Sequence, residues 1–373
     1  MSSTGQFELE FEALLNALPA PVPVSSASGD PAHFDCLIGV CGFESRCTHV
    51  AQALRDKGVR CRQAIAIHYA GDDLREPNEA YAQDLHSALR AMCGSEVARL
   101  PYDDHDLGRN FGERLVASLM SHGAALDLPT TRIGFDITVG TSRLLLEGLH
   151  SLLHTSADVT LYYAEADEYR PTFSEYRSVA LQAPYRQGTP PEFLSLGVDK
   201  VELLRSIPGR NVDARPAYLV VFPSFTPTRI GAVLDELSPS GVHWLFGVPH
   251  MVKNRWRMDA QREYHESLMD PAHRHCYVST FDYRETLEVL EAVYRTRKNE
   301  YALFVCSLGS KMQKVGQVLF HILRPEVGAV VSIPRTWDPK LYSGRTVKTA
   351  YVLNLGDAAS LRKRLSQTRT FRV

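Results

Sequence analysis

Two short stretches of this chain carry residue types suited to holding a phosphate. Gly140-Thr141-Ser142 offers a glycine and two hydroxyls with Arg143 directly after, and Gly309-Ser310-Lys311 repeats the arrangement, with Lys314 one turn further on. Where such a stretch opens a helix, its backbone N–H groups and hydroxyls face one point, and the helix dipole favours an anion there. The alternative is that Thr141, Ser142 and Ser310 are N-caps and the glycines supply turns. Recurrence in two equivalent places, each with an adjacent cation, favours the anion site.

A third stretch, Gly42-Phe43-Glu44-Ser45-Arg46, has a glycine for close approach, Glu44 to accept from hydroxyl or amine donors, and Arg46 to grip a phosphate with two N–H groups. It also reads as a surface Glu44–Arg46 pair with Ser45 as a cap. Asp136 and Thr138, two apart at a strand end, point the same way. Asp136 suits a ribose hydroxyl or, through water, a metal; equally it caps its loop. The loop Pro223-Ser224-Phe225 onward to Arg229 is comparable, a first-strand loop carrying a phenylalanine and then an arginine, and adds Ser224 and Arg229 to the candidates. In Pro249 to Trp256, Lys253 and Arg255 accompany an amide and an indole, a composition for phosphates and base stacking or for a solvated charged loop.

Several chemistries lack support. The chain has no GxxxxGK[ST] loop, no GxGxxG after a strand, no GxSxG elbow and no HExxH, so ATPase, dinucleotide dehydrogenase, serine hydrolase and zinc-protease readings have no motif. His273, His275 and Cys276 cluster without a second ligand pair, so no metal and no cofactor is expected, and no residue is assigned a catalytic role.

The elements that must position these residues alternate. Apolar runs of strand length fall at 36–40, 63–68, 97–100, 132–137 and 159–163, then at 217–222, 242–247, 276–279, 301–305, 328–333 and 349–355. Segments of helical period fill the gaps at 49–57, 79–92, 111–122 and 142–154, and at 230–237, 257–268, 283–297 and 311–323. This alternation is the mark of βαβ units and parallel sheets. The fold class is α/β, with two tandem Rossmann-like parallel-sheet lobes that run through the same elements, a divergent internal duplication. Residues 1–33 read as an amphipathic arm and linker, 34–170 as the first lobe, 171–215 as a connection with one helix near 200–206, and 216–373 as the second lobe. In open parallel sheets ligands bind beyond the carboxyl ends of the strands, which is where all the stretches above fall.

Composition narrows the class further. The 373 residues suit two domains, and 44% hydrophobic with 23% charged residues suits a globular chain. A formal net charge of -2 lacks the basic field of a dedicated duplex-DNA binder, though a local basic cleft remains compatible. No apolar run reaches the about 18 residues of a membrane span, and no basic-then-apolar leader opens the chain, so a cytoplasmic protein is expected. The seven cysteines contain no CxxC pair and read as buried free thiols.

The run Phe135-Asp136-Ile137-Thr138-Val139-Gly140-Thr141-Ser142-Arg143 resembles the strand-end motif of CARF domains, Rossmann-like sensors of prokaryotic defence systems that often carry a Thr/Asn-x-Gly-Gly-Thr-Lys-like loop there. Val139 stands where glycine is common, and Arg143 comes one residue after the usual lysine; Gly309-Ser310-Lys311 would be the matching second-lobe loop. The resemblance implies a nucleotide second messenger, a cyclic oligonucleotide, held between two such lobes. Glu44, Arg46, Thr141, Ser142, Arg143, Ser310 and Lys311 would line the site. CARF sensors usually carry a separate effector domain, whereas nearly all of this chain is used by the lobes. A partner would then supply the effector, or the lobes would themselves cleave the ligand as a phosphodiesterase of ring-nuclease type, or the chain would be a structural subunit of a defence complex with its N-terminal arm docked on a partner.

Overall fold

The computed structural model describes residues 3–27, 33–70, 81–106, 110–180, 195–210, 215–337 and 346–370. The chain divides into two compact units, Met1–Glu168 with Gly344–Val373, and Tyr169–Ser343.

In the first unit, helix α1 (Ser3–Ala17) and the short strand β1 (Val22–Pro23) precede five parallel strands: β2 (His33–Val40), β3 (Arg60–Tyr69), β4 (Ala98–Tyr102), β5 (Arg132–Asp136) and β6 (Asp158–Ala166). Helices α2 (His49–Asp56), α3 (Ala82–Cys93), α4 (Phe111–Ser121) and α5 (Ser142–Leu153) connect them. The second unit opens with α6 (Phe173–Ala180), β7 (Ser195–Leu196) and β8 (Lys200–Leu203). It continues through β9 (Ala217–Phe222), α7 (Pro227–Leu237), β10 (Gly241–Val248), α8 (Trp256–Tyr264), β11 (Arg274–Ser279), α9 (Tyr283–Arg297), β12 (Ala302–Ser307), α10 (Lys311–Leu323), β13 (Gly328–Ile333) and β14 (Thr336–Trp337). The chain closes with β15 (Val347–Asp357) and α11 (Ala358–Thr370).

Strands such as β5, β6 and β13 are buried along almost their whole length, as parallel strands covered by helices on both faces must be. The sheets run β1-β15-β6-β5-β2-β3-β4 and β11-β10-β9-β12-β13-β8. Counting the five parallel strands of each unit in chain order, both sheets read 3-2-1-4-5, and in both an antiparallel strand lies beside strand five. The fold is therefore the expected α/β class with two Rossmann-like sheets.

Two expectations are corrected. The run 349–355 is a strand, but it pairs antiparallel with β6, for instance Val352 with Tyr162, and so belongs to the first sheet. The helix expected near 200–206 is β8, whose four residues pair with β13 from Lys200–Ile333 to Leu203–Val330. The open edge of the sheet beside β13 satisfies the backbone groups of Lys200–Leu203 through ladder hydrogen bonds instead. After β6 the chain thus enters a strand of the second sheet, and after β13 it returns to a strand of the first.

The amphipathic arm is also placed. Phe7, Phe11, Leu14 and Leu18 are buried, the two phenylalanine rings stack with centroids 5.7 Å apart, and α1 packs on α11 of its own unit. These side chains are thus covered within the unit itself, while Leu9 on the same helix is exposed.

Helix pairs α4–α5 and α9–α10 cross closely because glycines stand at the contacts. A Cβ on Gly316 of α10 would run into the Tyr283 carbonyl of α9 and lie 2.7 Å from the Thr286 Cβ. Gly316→Val is expected to lower unfolding stability by about 1–3 kcal/mol, the usual cost of overpacking, read as a lower urea midpoint at unchanged slope.

Candidate functional site

In the first sheet the connections from β2 and β5 depart in opposite directions, so the loops beyond their carboxyl ends part and leave a crevice. Gly42 lets these loops approach, since a Cβ there would lie 3.0 Å from Val139 Cγ2. Phe43, Ser45, Val139, Thr141 and Ser142 are partly exposed around it, while Gly140 is buried against Leu145.

The two arginines of this end are interior groups. Arg46 donates from Nε to Glu44 Oε2 at 2.8 Å and from Nη1 to the Ala164 carbonyl at 2.9 Å, and the Arg46–Glu44 pair is buried. Arg143 donates to the Asp104 carbonyl at 2.8 Å, to the Asp106 carbonyl at 2.9 Å and to Glu147 Oε1 at 3.3 Å, while Glu147 Oε2 accepts from the Phe111 N–H at 2.9 Å. Arg143 therefore ties α5 to the loop after β4 and to the start of α4. A phosphate would reach either guanidinium only by displacing these acceptors.

The loop after β5 is fixed by two tyrosines. Thr141 caps α5, accepting from the Leu144 N–H, and donates to Asp104 Oδ1 at 2.9 Å; Tyr102 also donates to Asp104. Tyr69, at the end of β3, accepts from the Thr141 N–H at 2.9 Å. Asp136 Oδ1 accepts from the N–H of Thr138 at 2.9 Å and from its hydroxyl, whose oxygen accepts from the Ala164 N–H. This is the loop-capping geometry. Burial pushes the Asp136 carboxyl up to about 7, against the Thr138 hydrogen bonds and the Arg46 charge, which act to lower it.

The matching crevice of the second sheet lies beyond β9 and β12. Ser310 caps α10 in a capping box with Gln313, and its hydroxyl donates to the Thr280 carbonyl. Gly309 fits because the Gln313 side chain occupies the space a Cβ would need. Lys311 is partly exposed at the first position of α10. Lys314, 2% exposed, donates to the carbonyls of Gly309 at 2.6 Å and Ser310 at 3.4 Å. Burial, then the like charges of Lys311 and Arg229, hold its amine well below the usual lysine range. Arg229 is buried, donates to the Ser332 carbonyl and lies over the Trp337 ring, 5.5 Å from its centroid. The hydroxyls of Thr226 and Ser332, buried near the same end of the sheet, have no hydrogen-bond partner among the described residues. Ser224 is partly exposed, and Lys253 and Arg255 are exposed after β10. The partly exposed Trp256 ring packs with the exposed Phe173 and the buried Tyr176 at 5.2 and 5.5 Å.

Sequence reasoning missed Tyr69, Tyr102 and Asp104, which fix the Gly140 loop from neighbouring strand ends; their position at those ends was the available signal. It also missed that Cys41 and His68 at the ends of β2 and β3 meet His86 of α3. Of the other thiols, burial pushes Cys47, Cys61 and Cys306 up to about 12, which makes them inert packing groups. No helix among the described residues is long and apolar enough to cross a membrane.

No known family profile matches the chain, and no curated protein matches its sequence. Solved structures that it is similar to include a type III CRISPR defence DNA nuclease activated by cyclic oligoadenylate, at 10% identity and TM-score 0.45, covering 75% of this chain and 63% of that one. The chain thus spans less than two thirds of that nuclease. The cytoplasmic domain of a prokaryotic cation chloride cotransporter matches at 7% identity and TM-score 0.23, over 83% of this chain and 99% of that one. Phosphoethanolamine N-methyltransferase 1 of Haemonchus contortus matches at 8% identity and TM-score 0.20, over 82% and 79%. At these scores the likenesses carry no functional argument, and the site must be read from its own residues.

The Asp136 carboxyl gives a pH prediction. Its folded pKa, about 7, lies above the ordinary 3.8, so the native state binds the extra proton and stability falls as pH rises from about 4 to about 7, then levels. Urea unfolding at about pH 5 and about pH 8 should show a larger loss in the wild-type protein than in Asp136→Asn; equal losses would contradict the assignment.

Proposed function

We propose that the chain binds a phosphate-bearing nucleotide second messenger, of cyclic-oligonucleotide type, at the carboxyl ends of its parallel sheets, as the sensing component of a prokaryotic antiviral defence system whose effector is a separate protein. The observation that carries the reading is the cation cluster at the start of α10. Lys314 is desolvated, its hydrogen bonds run to carbonyls, and the charges of Lys311 and Arg229 oppose its protonation. Bringing like charges together in a buried site is unfavourable, and such arrangements concentrate where a ligand supplies the opposite charge. An anion seated at the α10 N-terminus would meet Lys311, Arg229 and the helix dipole, and would restore the proton on Lys314.

The nucleotide class draws on different support: the CARF-like run 135–143, and a Gly-hydroxyl N-cap at the end of strand four in both units, Gly140-Thr141 and Gly309-Ser310. We take the shared 3-2-1-4-5 order as the trace of an internal duplication. A ring-nuclease reading draws on Asp136, whose carboxyl titrates near neutrality as a general acid or base would.

Calorimetric titration with cyclic oligoadenylates tests both. Lys311→Ala should weaken binding by about 1–3 kcal/mol, the worth of a charge-assisted hydrogen bond, and wild-type binding should take up a proton, seen as an enthalpy that varies with buffer. Arg143→Ala should instead lower stability, because it leaves the Asp104 and Asp106 carbonyls and Glu147 without their donor. Unchanged affinity in Lys311→Ala would contradict the site, and recovery of the ligand in linear form would favour the enzyme.

A further inference from the structure

Beyond the anion crevice, the first sheet carries a cluster with a different chemistry. Cys41 directly follows β2, His68 stands at the end of β3, and His86 lies on α3, whose residues Leu85 and Leu89 are buried. His68 Nε2 is 3.5 Å from Cys41 Sγ and 2.8 Å from His86 Nε2, and all three atoms lie within 4.8 Å of one another. We propose that Cys41, His68 and His86 bind a zinc-class divalent cation.

The distances suit it. With Zn–N of about 2.0–2.1 Å and Zn–S of about 2.3 Å, a tetrahedral centre holds two nitrogens about 3.3 Å apart and a nitrogen and sulfur about 3.6 Å apart. The sulfur–nitrogen separation is already of that size, and the two imidazoles need to part by about half an ångström. With both Nε2 atoms turned to one point, a cation lets each ring keep its proton on Nδ1; the ion-free contact requires the rings to be opposite tautomers or one to be protonated. One thiolate with two imidazoles selects a borderline-soft metal over magnesium or calcium. Three ligands among the described residues leave a fourth position for water or another oxygen donor, the composition of an open site. Cys41 is buried and both histidines are partly exposed, so an ion enters from the histidine side. The cation would also pin the end of β3, where the neighbouring Tyr69 hydroxyl holds the Thr141 N–H.

The test is a cobalt titration of the chelator-stripped full chain. One equivalent of Co2+ should give the intense d–d absorption of a tetrahedral centre together with a thiolate-to-cobalt charge-transfer band, both displaced by Zn2+. Cys41→Ser should lose the charge-transfer band, and His86→Ala, on a partly exposed helix position, should weaken cobalt binding at least about tenfold. Circular dichroism checks that each variant is folded, and His86→Ala decides if Cys41→Ser is not. Absence of a thiolate band in the wild-type protein, or unchanged cobalt affinity in His86→Ala, would overturn the proposal.

Discussion

A charge withdrawn from water needs an opposite charge or a set of aligned dipoles, and the two units meet that requirement differently. At the carboxyl end of the first sheet the buried arginines are matched from within, Arg46 by Glu44 and the Ala164 carbonyl, Arg143 by Glu147 and two carbonyls. These groups lock the loops after β2 and β5 into one arrangement. In the second unit, Arg324 and Glu291 form a comparable buried pair at 2.6 Å between α9 and α10. At the other end of α10, Lys314 has carbonyl dipoles for partners and cations for neighbours. Matched charges build the frame, whereas the Lys314 amine is held by carbonyl dipoles beside other cations, the feature on which the proposed ligand site rests.

The frame follows from the strand order. With strands one and four adjacent in both sheets, the helices that follow them both begin at the same crevice, and each sheet presents a capped helix start there. Parallel pairing forces each connection back across a face of its sheet, so central strands such as β5 and β9 are covered and the loops beyond their ends are left for chemistry.

This accounts for what could be read in the sequence. Runs such as Cys36–Val40 and Gly328–Ile333 are continuous and apolar because both faces are buried, and Thr141 and Ser310 announce their helices by local capping chemistry. The sheet to which β15 belongs was not legible, because its partner β6 lies almost two hundred residues earlier and nothing in an alternating run names its neighbour. The Glu44–Arg46 pair was legible as one of two readings because its partner is two residues away, whereas the carbonyls of Ala164, Asp104 and Asp106 that also hold Arg46 and Arg143 are backbone atoms that any residue could supply. Cys41, His68 and His86 have no motif spacing, since three separate elements bring them together.

The side-chain amine of Lys314 is the group on which the account turns. Nuclear magnetic resonance titration of its Nζ, alone and with a cyclic oligonucleotide at saturation, reads the charge state directly. The account predicts an amine that loses its proton well below the ordinary lysine range in the free protein and regains it when the ligand binds. An ordinary lysine titration in the free protein, or a ligand that binds without moving it, would contradict the account.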